Sequence, residues 1–338
     1  MMVQRPTFSV IAPAKDEEEL IEEFHQRVAA ALEPLGEPFE VIIVNDGSSD
    51  RTPAILRELN QRDERFKSLT LSRSFGAEPA FTAGIDYAAG DAVILIDSDL
   101  QDPPEVIPEL IAKWREGYEL VYAVRASREG ETWFKTLTAA LFYRLMDRIT
   151  SVNVPLDTGT FRLMDRSVVR ALSQMREHNR SMRLLSVWTG FTQAGVPFRR
   201  HARKAGNTKY PLRKMIRLTL DNVTSFSYVP LQLATYFGFA VAALSVLAML
   251  LVIIGRLSGS QAFFGQATTL IVVLFLGGVQ LIFLGIIGEY LGRIYDEVRS
   301  RPLYIVARAV GFDGKPQSEE RAPAPDDKIA PGARSYRN

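Results

Sequence analysis

Two long stretches without a charged residue lie in the C-terminal third of the chain and restrict how it folds. Residues 231–254 and 268–288 contain only apolar and uncharged polar side chains. In an α-helix about 24 residues extend about 36 Å, enough to cross a hydrocarbon core of about 30 Å with some tilt, and about 21 residues also suffice. A buried helix of a soluble domain is the alternative, but two such stretches in succession argue against it. The sequence therefore predicts a hairpin of two transmembrane helices.

Basic residues flank this predicted hairpin, whereas the segment between its helices carries little charge. Residues 199–217 contain eight lysines and arginines. Four more arginines follow the second stretch: Arg293, Arg299, Arg301 and Arg308. The connecting residues 255–267 have Arg256 as their single charged residue. The positive-inside rule therefore predicts that both termini lie in the cytoplasm. Because the apolar run at residues 8–12 is too short for a signal peptide, we expect the first domain to remain there as well.

The region before the hairpin alternates between strand-like and helical patterns. The strand-like runs are residues 8–12, 39–44, 67–71, 92–96 and 119–124. The helical patterns between them are residues 17–35, 52–62, 79–89 and 104–116. This alternation is typical of an α/β fold in which helices cover both faces of a mostly parallel sheet. In such a sheet the loops that follow the strands gather at one edge, where ligands bind.

The loop after the fourth predicted strand carries two carboxylates one residue apart, Asp97 and Asp99. Two anions this close repel each other unless a cation lies between them. Mg²⁺ or Mn²⁺ takes one or two protein carboxylates and completes its coordination with phosphate oxygens and water. We therefore predict a metal site that joins the protein to a diphosphate. The alternative is a solvated acidic turn that caps the helix beginning near Pro104.

The loop after the second predicted strand contains Asp46, which we expect to accept hydrogen bonds from a base or a ribose. Its neighbours Ser49 and Asp50 are explained more simply as a helix cap. The sequence has neither a glycine-rich dinucleotide fingerprint nor a Walker loop, so we expect phosphate to be held by a metal and by side chains. It also has no cysteine, which excludes thiol catalysis, and its net charge of +1 gives no long-range field for nucleic acid.

A nucleotide-and-metal domain joined to a membrane hairpin suggests a soluble activated donor that meets a lipid acceptor at the membrane. Four basic residues are candidate ligands for the phosphate of such a lipid: Arg125, Arg128, Arg203 and Lys209. Arginine suits this role because its guanidinium group binds phosphate oxygens in a bidentate manner. Membrane tethering explains most of the other charges in residues 199–217. Arg203 and Lys209 flank a short polar loop directly before the predicted membrane surface, which favours them as ligands. Residues 211–226 alternate basic and apolar side chains at nearly helical spacing and predict an interfacial helix.

Five motifs, in this order, resemble those of the bacterial polyprenyl-phosphate glycosyltransferases, relatives of dolichyl-phosphate mannose synthase with the GT-A fold of inverting family 2. They are Pro13-Ala14-Lys15-Asp16-Glu17, Asn45-Asp46-Gly47-Ser48-Ser49-Asp50, Asp97-Ser98-Asp99-Leu100-Gln101-Asp102-Pro103-Pro104-Glu105, Asp157 to Met164, and Ile287-Gly288-Glu289-Tyr290-Leu291-Gly292-Arg293-Ile294-Tyr295. The similarity spans residues 8–306. One departure is Lys15-Asp16, where the family usually has Tyr-Asn.

The resemblance implies transfer of a sugar from a nucleotide-diphospho-sugar, with UDP-glucose as the expected donor, to polyprenyl (undecaprenyl) phosphate with inversion. It implies Mg²⁺ or Mn²⁺ on Asp99 and Asp97, and Asp157 as the catalytic base. An acceptor phosphate with a second pKa near about 6 is already largely ionised, so a role of Asp157 in orienting the sugar or stabilising charge is the alternative. Donor contacts are implied for Pro13, Ala14, Glu17, Asp46, Asp97, Ser98, Asp99 and Gln101.

These inferences predict a multi-pass protein of the inner membrane with five parts. They are a cytoplasmic GT-A domain at 1–210, an interfacial helix at 211–228, the transmembrane hairpin at 229–288, a cytoplasmic juxtamembrane helix with a short extension at 289–312, and a disordered tail at 313–338. The resemblance also implies a homo-oligomer, with a tetramer as one arrangement. Two alternatives remain: a processive polysaccharide synthase, whose Gln-x-x-Arg-Trp element this sequence lacks, and a non-catalytic membrane protein that binds a nucleotide sugar.

Overall fold

The structure is a computed structural model that describes residues 5–125, 158–178, 180–199, 229–257 and 266–312. Within these ranges it contains eight strands: β1 (Phe8–Ala14), β2 (Phe39–Asn45), β3 (Phe66–Leu71), β4 (Ala92–Leu95), β5 (Leu120–Arg125), β6 (Thr158–Asp165), β7 (Gln193–Phe198) and β8 (Val306–Val310). It also contains eight α-helices: α1 (Ile21–Leu32), α2 (Thr52–Arg62), α3 (Ala77–Tyr87), α4 (Ile107–Arg115), α5 (Arg166–Gln174), α6 (Met182–Trp188), α7 (Val229–Leu257) and α8 (Gln266–Val298). Short 3₁₀ turns follow α1 and precede α4.

The eight strands form one sheet in the order β7-β5-β6-β4-β1-β2-β3-β8. Strand β1 pairs in parallel with β2 and β4, β2 pairs in parallel with β3, and β5 pairs in parallel with β7. Strands β6 and β8 are antiparallel to the strands beside them. The predicted α/β fold with a mostly parallel sheet is confirmed, and the first five strands and four helices overlap the ranges that the sequence predicts.

Both faces of the central strands are buried, which explains why their sequences are mostly apolar rather than alternating between apolar and polar residues. Strand β2 is buried at every position. On one face the core includes Phe24 from α1 and Leu110 from α4. On the other face it includes Phe81 from α3 and Val168 from α5. Because helices cover both faces of the sheet, the ends of its strands are where the loops lie, and we refer to the end where the parallel strands finish as the site edge.

Strand β6 runs antiparallel between β4 and β5, and this reversal matters for the site. Its first residue, Thr158, pairs with Val124 near the end of β5. Its last residue, Asp165, pairs with Ala92 at the start of β4. The beginning of β6 therefore lies at the edge where the parallel strands end. Asp165 then caps α5 by accepting a hydrogen bond from the backbone N–H of Ser167 at 2.8 Å.

The two apolar stretches of the sequence lie within α7 and α8, which contact each other through the rings of Phe237 and Phe283, with centroids 5.9 Å apart. Among the described residues, one helical segment, Phe275–Val298 in α8, is long and apolar enough to cross a membrane by length and composition. Helix α7 contains a shorter apolar segment, Ala234–Leu247. A membrane-spanning helix is therefore supported by α8, whereas the hairpin of two spans stays a prediction.

The structure differs from the sequence prediction after residue 288. Instead of a separate juxtamembrane helix, α8 continues unbroken to Val298, and an ion pair between Glu289 and Arg293 joins successive turns at 2.9 Å. The predicted short extension contains strand β8, which pairs antiparallel with β3 from Leu71↔Val306 to Ser68↔Val310. This pairing satisfies the backbone hydrogen-bonding groups at the open edge of β3. Local sequence patterns do not reveal it, because the two strands are far apart in the sequence.

Several predictions lie outside the described residues and stay predictions. They concern Arg128, Asp157, Arg203 and Lys209, the interfacial helix at 211–228 and the tail at 313–338.

Candidate active site

The strand register brings most of the predicted site residues to one edge of the sheet. Ala14 at the end of β1 pairs with Asn45 at the end of β2, so the loops that begin beyond them are neighbours. The pairing of Ile11 with Leu95 places the Asp97-Ser98-Asp99 turn beside the same loops. Arg125 ends β5 at this edge, where β6 begins. Carboxyl ends of parallel strands are where ligands bind in open α/β sheets.

The turn after β4 is held by one hydrogen bond within the turn and by one to β1. The hydroxyl of Ser98 donates to the carbonyl oxygen of Pro13 at 2.7 Å, and the backbone N–H of Gln101 donates to Oδ1 of Asp99 at 3.1 Å. Leu100 has a φ of +57° and is 3% exposed. A residue other than glycine in this conformation costs about 1–2 kcal/mol, and burial of the Leu100 side chain offsets that cost. The turn thus leaves Asp97 and Asp99 partly exposed at the edge.

The pair of Asp97 and Asp99 fits a divalent cation that is shared with a bound diphosphate. Both side chains are partly exposed oxygen donors, and no group of three or more metal-binding side chains occurs within the described ranges. Mg²⁺ in proteins is commonly bound by one or two carboxylates together with substrate phosphates rather than by a complete protein cage. A site that is completed by substrate is consistent with these two carboxylates.

Asp46 is buried, and both of its carboxylate oxygens accept hydrogen bonds from the loop between β3 and α3. Oδ1 accepts from the backbone N–H of Phe75 at 2.6 Å. Oδ2 accepts from the N–H of Gly76 at 3.0 Å and from the hydroxyl of Ser74 at 2.8 Å. The carboxylate of Asp46 therefore organises this loop, and a direct contact with a base or ribose stays a prediction.

Residues 72–76 are a part of the edge that sequence reasoning missed. The guanidinium group of Arg73 lies over the ring of Phe75 at 4.0 Å from the centroid, and Gly76 has a φ of +100°. A Cβ atom on Gly47 would lie 2.7 Å from the backbone nitrogen of Ser74, so the loop packs directly against that glycine. The available signal was the polar sequence Ser-Arg-Ser-Phe-Gly directly after the third strand.

The unusual pair Lys15-Asp16 joins the first loop to the other two. The ammonium group of Lys15 donates to the hydroxyl of Ser74 at 2.9 Å, and that hydroxyl donates to Asp46. Asp16, with a φ of +54°, accepts from the N–H of Ser49 at 2.7 Å. The three loops after β1, β2 and β3 thus form one hydrogen-bonded unit.

Two further residues that are predicted to contact the nucleotide-sugar donor, Ala14 and Glu17, lie in or beside this unit. The backbone N–H of Asp46 donates to the carbonyl oxygen of Ala14 at 2.9 Å. The backbone N–H of Glu17 donates to the hydroxyl of Thr52, the first residue of α2, at 3.0 Å. These bonds place the first loop against the second loop and the helix that follows it.

Arg125 lies across the beginning of β6. A Cβ atom on Gly159 would come within 2.9 Å of Nη2 of Arg125, so the guanidinium group packs closely against this glycine. Binding of a lipid phosphate by Arg125 stays a prediction, and the position of Arg125 at the end of β5 is compatible with that role. Thr158, the first described residue after Asp157, is buried at the same edge.

Comparisons with known proteins give consistent results. The family described as glycosyl transferase family 2 matches residues 9–173. An uncharacterised glycosyltransferase of Bacillus subtilis, YkcC, is 47% identical over 308 residues, which cover 91% of this chain and 95% of that protein. The bactoprenol glucosyl transferase of Shigella phage SfII is 42% identical over 301 residues, which cover 89% of this chain and 97% of that protein.

Among solved structures, a glucosyl-3-phosphoglycerate synthase from Mycobacterium tuberculosis, in complex with Mn²⁺, UDP-glucose and phosphoglyceric acid, is 20% identical with a TM-score of 0.45. The match covers 65% of this chain and 78% of that one.

Proposed function

The chain belongs to glycosyltransferase family 2, and from this premise we propose that it transfers a sugar from a nucleotide-diphospho-sugar to a polyprenyl phosphate at a membrane surface. The proposed donor is UDP-glucose and the proposed acceptor is undecaprenyl phosphate. The name of the 42% identical bactoprenol glucosyl transferase supports both glucose and a polyprenyl acceptor.

The observation that carries the proposal is the position of the candidate active site relative to the apolar helix α8. The chain that leaves α8 enters the sheet at Val306, which pairs with Leu71 at the carboxyl end of β3. One residue earlier, the carbonyl oxygen of Ile305 accepts a hydrogen bond from the backbone N–H of Ser72 at 2.9 Å. The segment from the apolar helix therefore reaches the same loop that Asp46 organises, which suits an enzyme whose acceptor is a lipid.

A second contact ties the end of α8 to the domain. The carboxylate of Glu297 accepts a hydrogen bond from the backbone N–H of His178 at 3.0 Å. His178 lies in the segment between α5 and α6, the elements that follow β6. Because α8 is attached at two points, a membrane that surrounds its apolar part would lie close to the catalytic domain. Both termini in the cytoplasm and a second span in α7 are part of the same proposal.

The proposed reaction forms one bond and breaks another at C1 of the sugar. An oxygen of the acceptor phosphate attacks C1 from the face opposite the leaving group, and the bond from C1 to the diphosphate breaks, so the anomeric centre inverts. Asp97 and Asp99 would hold a bound Mg²⁺ or Mn²⁺, which neutralises the charge of the departing diphosphate. Arg125 is proposed to bind the acceptor phosphate, and Asp157 to act as base or to orient the sugar.

Two other functions compete with this one. A processive synthase would use the same donor and release a water-soluble or cell-bound polymer instead of a single lipid-linked sugar. A non-catalytic nucleotide-sugar-binding protein would bind the donor without turnover. The hydrogen bond between the loop at 72–76 and the segment that follows α8 favours a lipid acceptor over a polymer. The presence of both Asp97 and Asp99 favours catalysis over binding alone.

The test uses the full chain, purified in detergent with undecaprenyl phosphate and Mg²⁺ or Mn²⁺. Radiolabelled nucleotide sugars are offered one at a time, and the label in the organic phase is counted. We expect label from UDP-glucose, and we expect both EDTA and Asp99→Ala to reduce it at least about a hundredfold, because a metal acting as a Lewis acid supplies several kcal/mol.

Asp91→Ala is the matched control for this test. Asp91 directly precedes β4, as Asp99 follows it, but it pairs with Arg5 at the opposite end of the strand. We expect this variant to retain wild-type activity within about a factor of two, because exposed ion pairs contribute little. Nucleotide binding without transfer from any donor would contradict the proposed function.

A further inference from the structure

Arg162 is a buried cation whose role is not explained by the donor site or the predicted acceptor site. It lies in β6, where it pairs with Leu95 on one side and Tyr122 on the other, and it is 1% exposed. Burial, together with the neighbouring Arg183, lowers the pKa of Arg162 to about 10. The group therefore remains charged near neutral pH. A buried charge is unfavourable unless hydrogen bonds compensate it, so its bonding partners should show what it stabilises.

The guanidinium group of Arg162 connects the beginning of β6 to the first turn of α6. On the side of β6, Nη2 donates to the carbonyl oxygen of Gly159 at 2.6 Å and Nε donates to that of Thr160 at 3.2 Å. On the side of α6, Nη1 donates to the carbonyl oxygens of Met182 at 3.3 Å and Arg183 at 3.2 Å, and to the hydroxyl of Ser186. One side chain thus holds two elements together through their backbones.

Helix α6 is also fixed by α3. The carboxylate of Glu78 in α3 accepts a hydrogen bond from the backbone N–H of Met182 at 2.8 Å. Because burial raises the pKa of Glu78 while Arg162 and Arg180 oppose that change, the three groups are electrostatically linked. Arg162 therefore bonds to a helix that is itself anchored to the core of the domain.

The backbone to which Arg162 donates also packs against Arg125, which is predicted to bind the phosphate of the acceptor. Gly159 lies beneath the guanidinium group of Arg125, which would be 2.9 Å from a Cβ atom at that position. A displacement of the Gly159 backbone would therefore move Arg125 or open a gap beneath it. The same backbone begins β6, directly after Asp157 in the sequence.

We propose that Arg162 is a positioning residue for sugar transfer, which fixes the start of β6 against α6 and so holds Arg125 in place at the acceptor side of the site. This inference rests on the proposed function. Because Arg162 is 1% exposed, its proposed role is indirect. It acts through Gly159 and Thr160, and a displacement of about 1 Å at a reacting group lowers the rate about a hundredfold.

The test compares Arg162→Met with Arg166→Met in the full chain. Arg166 is a matched control because it also donates to backbone carbonyl oxygens, those of Ala88 at 3.2 Å and Gly90, but next to the opposite end of β6. Each variant is measured for its thermal midpoint, for UDP affinity with Mn²⁺, and for kcat and the KM of undecaprenyl phosphate. Arg162→Lys is a second variant that keeps the charge and is more certain to fold.

For Arg162→Met we expect kcat to fall about tenfold to a hundredfold and the KM of the acceptor to rise, while UDP affinity stays within about threefold. For Arg166→Met we expect a similar loss of thermal midpoint with kcat unchanged within about threefold. Arg162→Lys should recover part of kcat, since one ammonium group replaces some of the donors. A tenfold fall in kcat corresponds to about 1.4 kcal/mol.

Equal losses of kcat in the two methionine variants, in proportion to their thermal midpoints, would show a general structural role and overturn the inference. Wild-type kcat in Arg162→Met would overturn it as well. The proposed function has its own failure, which is a wild-type protein that binds UDP but transfers no sugar to undecaprenyl phosphate. That result would overturn the proposed function and the inference that rests on it.

Discussion

At the scale of single residues, the carboxylates of this domain have different roles although their sequence settings are alike. Asp97 and Asp99 are partly exposed, as the proposed cation site requires, whereas Asp46 is buried and binds the loop at 72–76. All three follow a buried strand, and the sequence alone predicts ligand binding for each of them. The difference arises because residues 72–76, which are distant from Asp46 in sequence, provide the donors that its carboxylate accepts.

The residue-scale prediction concerns Asp46→Asn. An amide presents only one acceptor oxygen to the three donors from residues 74–76, so we expect the loop to loosen and UDP affinity to fall at least about tenfold. Hydrogen bonds to a charged group contribute about 1.5–3 kcal/mol each, which is sufficient for that loss. Isothermal titration with UDP and Mn²⁺ measures it.

Asp63→Asn is the control for Asp46→Asn. Asp63 also accepts a backbone N–H, that of Arg65 at 3.1 Å, but it lies at the end of α2, away from the site edge. We expect UDP affinity to be unchanged in this variant. If Asp46→Asn bound UDP as tightly as the wild type, the loop at 72–76 would not contribute to the donor site.

At the scale of elements, α5 begins where β6 ends because Asp165 caps it. The carboxylate accepts the N–H and the hydroxyl of Ser167, both at 2.8 Å, and the indole N–H of Trp114 in α4 at 2.9 Å. Burial by itself would raise the pKa of Asp165, but these hydrogen bonds lower the pKa by more than burial raises it. The pKa of Asp165 therefore lies below its usual value of 3.8. One residue therefore joins a strand, the helix that follows it and a helix that packs against the sheet.

We expect Asp165→Ala to lower the free energy of unfolding by about 1–2 kcal/mol, as for other caps, and the thermal midpoint by about 2–8 °C. Because its pKa is lowered, the carboxylate stabilises the fold fully above pH 3.8, and this contribution is lost as the pH falls below that value. The difference in thermal midpoint between Asp165→Ala and the wild type should therefore be constant from about pH 5.5 to 8 and should become smaller in acid. Thermal unfolding followed by tryptophan fluorescence measures both effects.

Lys113→Ala is the control, because Lys113 lies on the same helix as Trp114 and forms an exposed ion pair with Glu116. Its thermal midpoint should change by less than about 2 °C, as an exposed helix pair three residues apart contributes about 0.2–0.5 kcal/mol. A loss in Asp165→Ala no larger than in this control would contradict the capping role.

At the scale of the whole molecule, the segment after α8 returns to complete the sheet of the N-terminal domain. Strand β8 covers the edge of β3, and the hydroxyl of Tyr304 donates to Asp86 of α3 at 2.7 Å. Asp86 also binds Arg176 through both of its oxygens. The ring of Phe312 packs against Tyr87 with centroids 5.1 Å apart. The catalytic domain is thus built from both ends of the described chain, with the apolar helices between them.

Two truncations test this arrangement. A chain that ends after Ser300 lacks β8 and Tyr304 and leaves the edge of β3 open, so we expect aggregation and at least about a tenfold loss of sugar transfer. A chain that ends after Phe312 keeps β8 complete and should behave as the full chain does. Size-exclusion chromatography and the transfer assay measure both properties, and identical behaviour of the two truncations would contradict a structural role for β8.

Local sequence determined much of this protein. Strand-like runs predict β1 to β5, and β1, β2 and β4 are mostly apolar because they are buried on both faces. The carboxylates after β4 predict a metal site at the carboxyl ends of the strands from chemistry alone. Only the tertiary structure decided that β8 joins the sheet, that Asp46 organises the loop at 72–76, and that Arg162 connects β6 to α6. Each of these depends on groups distant in sequence that meet only when the chain folds, and a local pattern of residues does not reveal such partners.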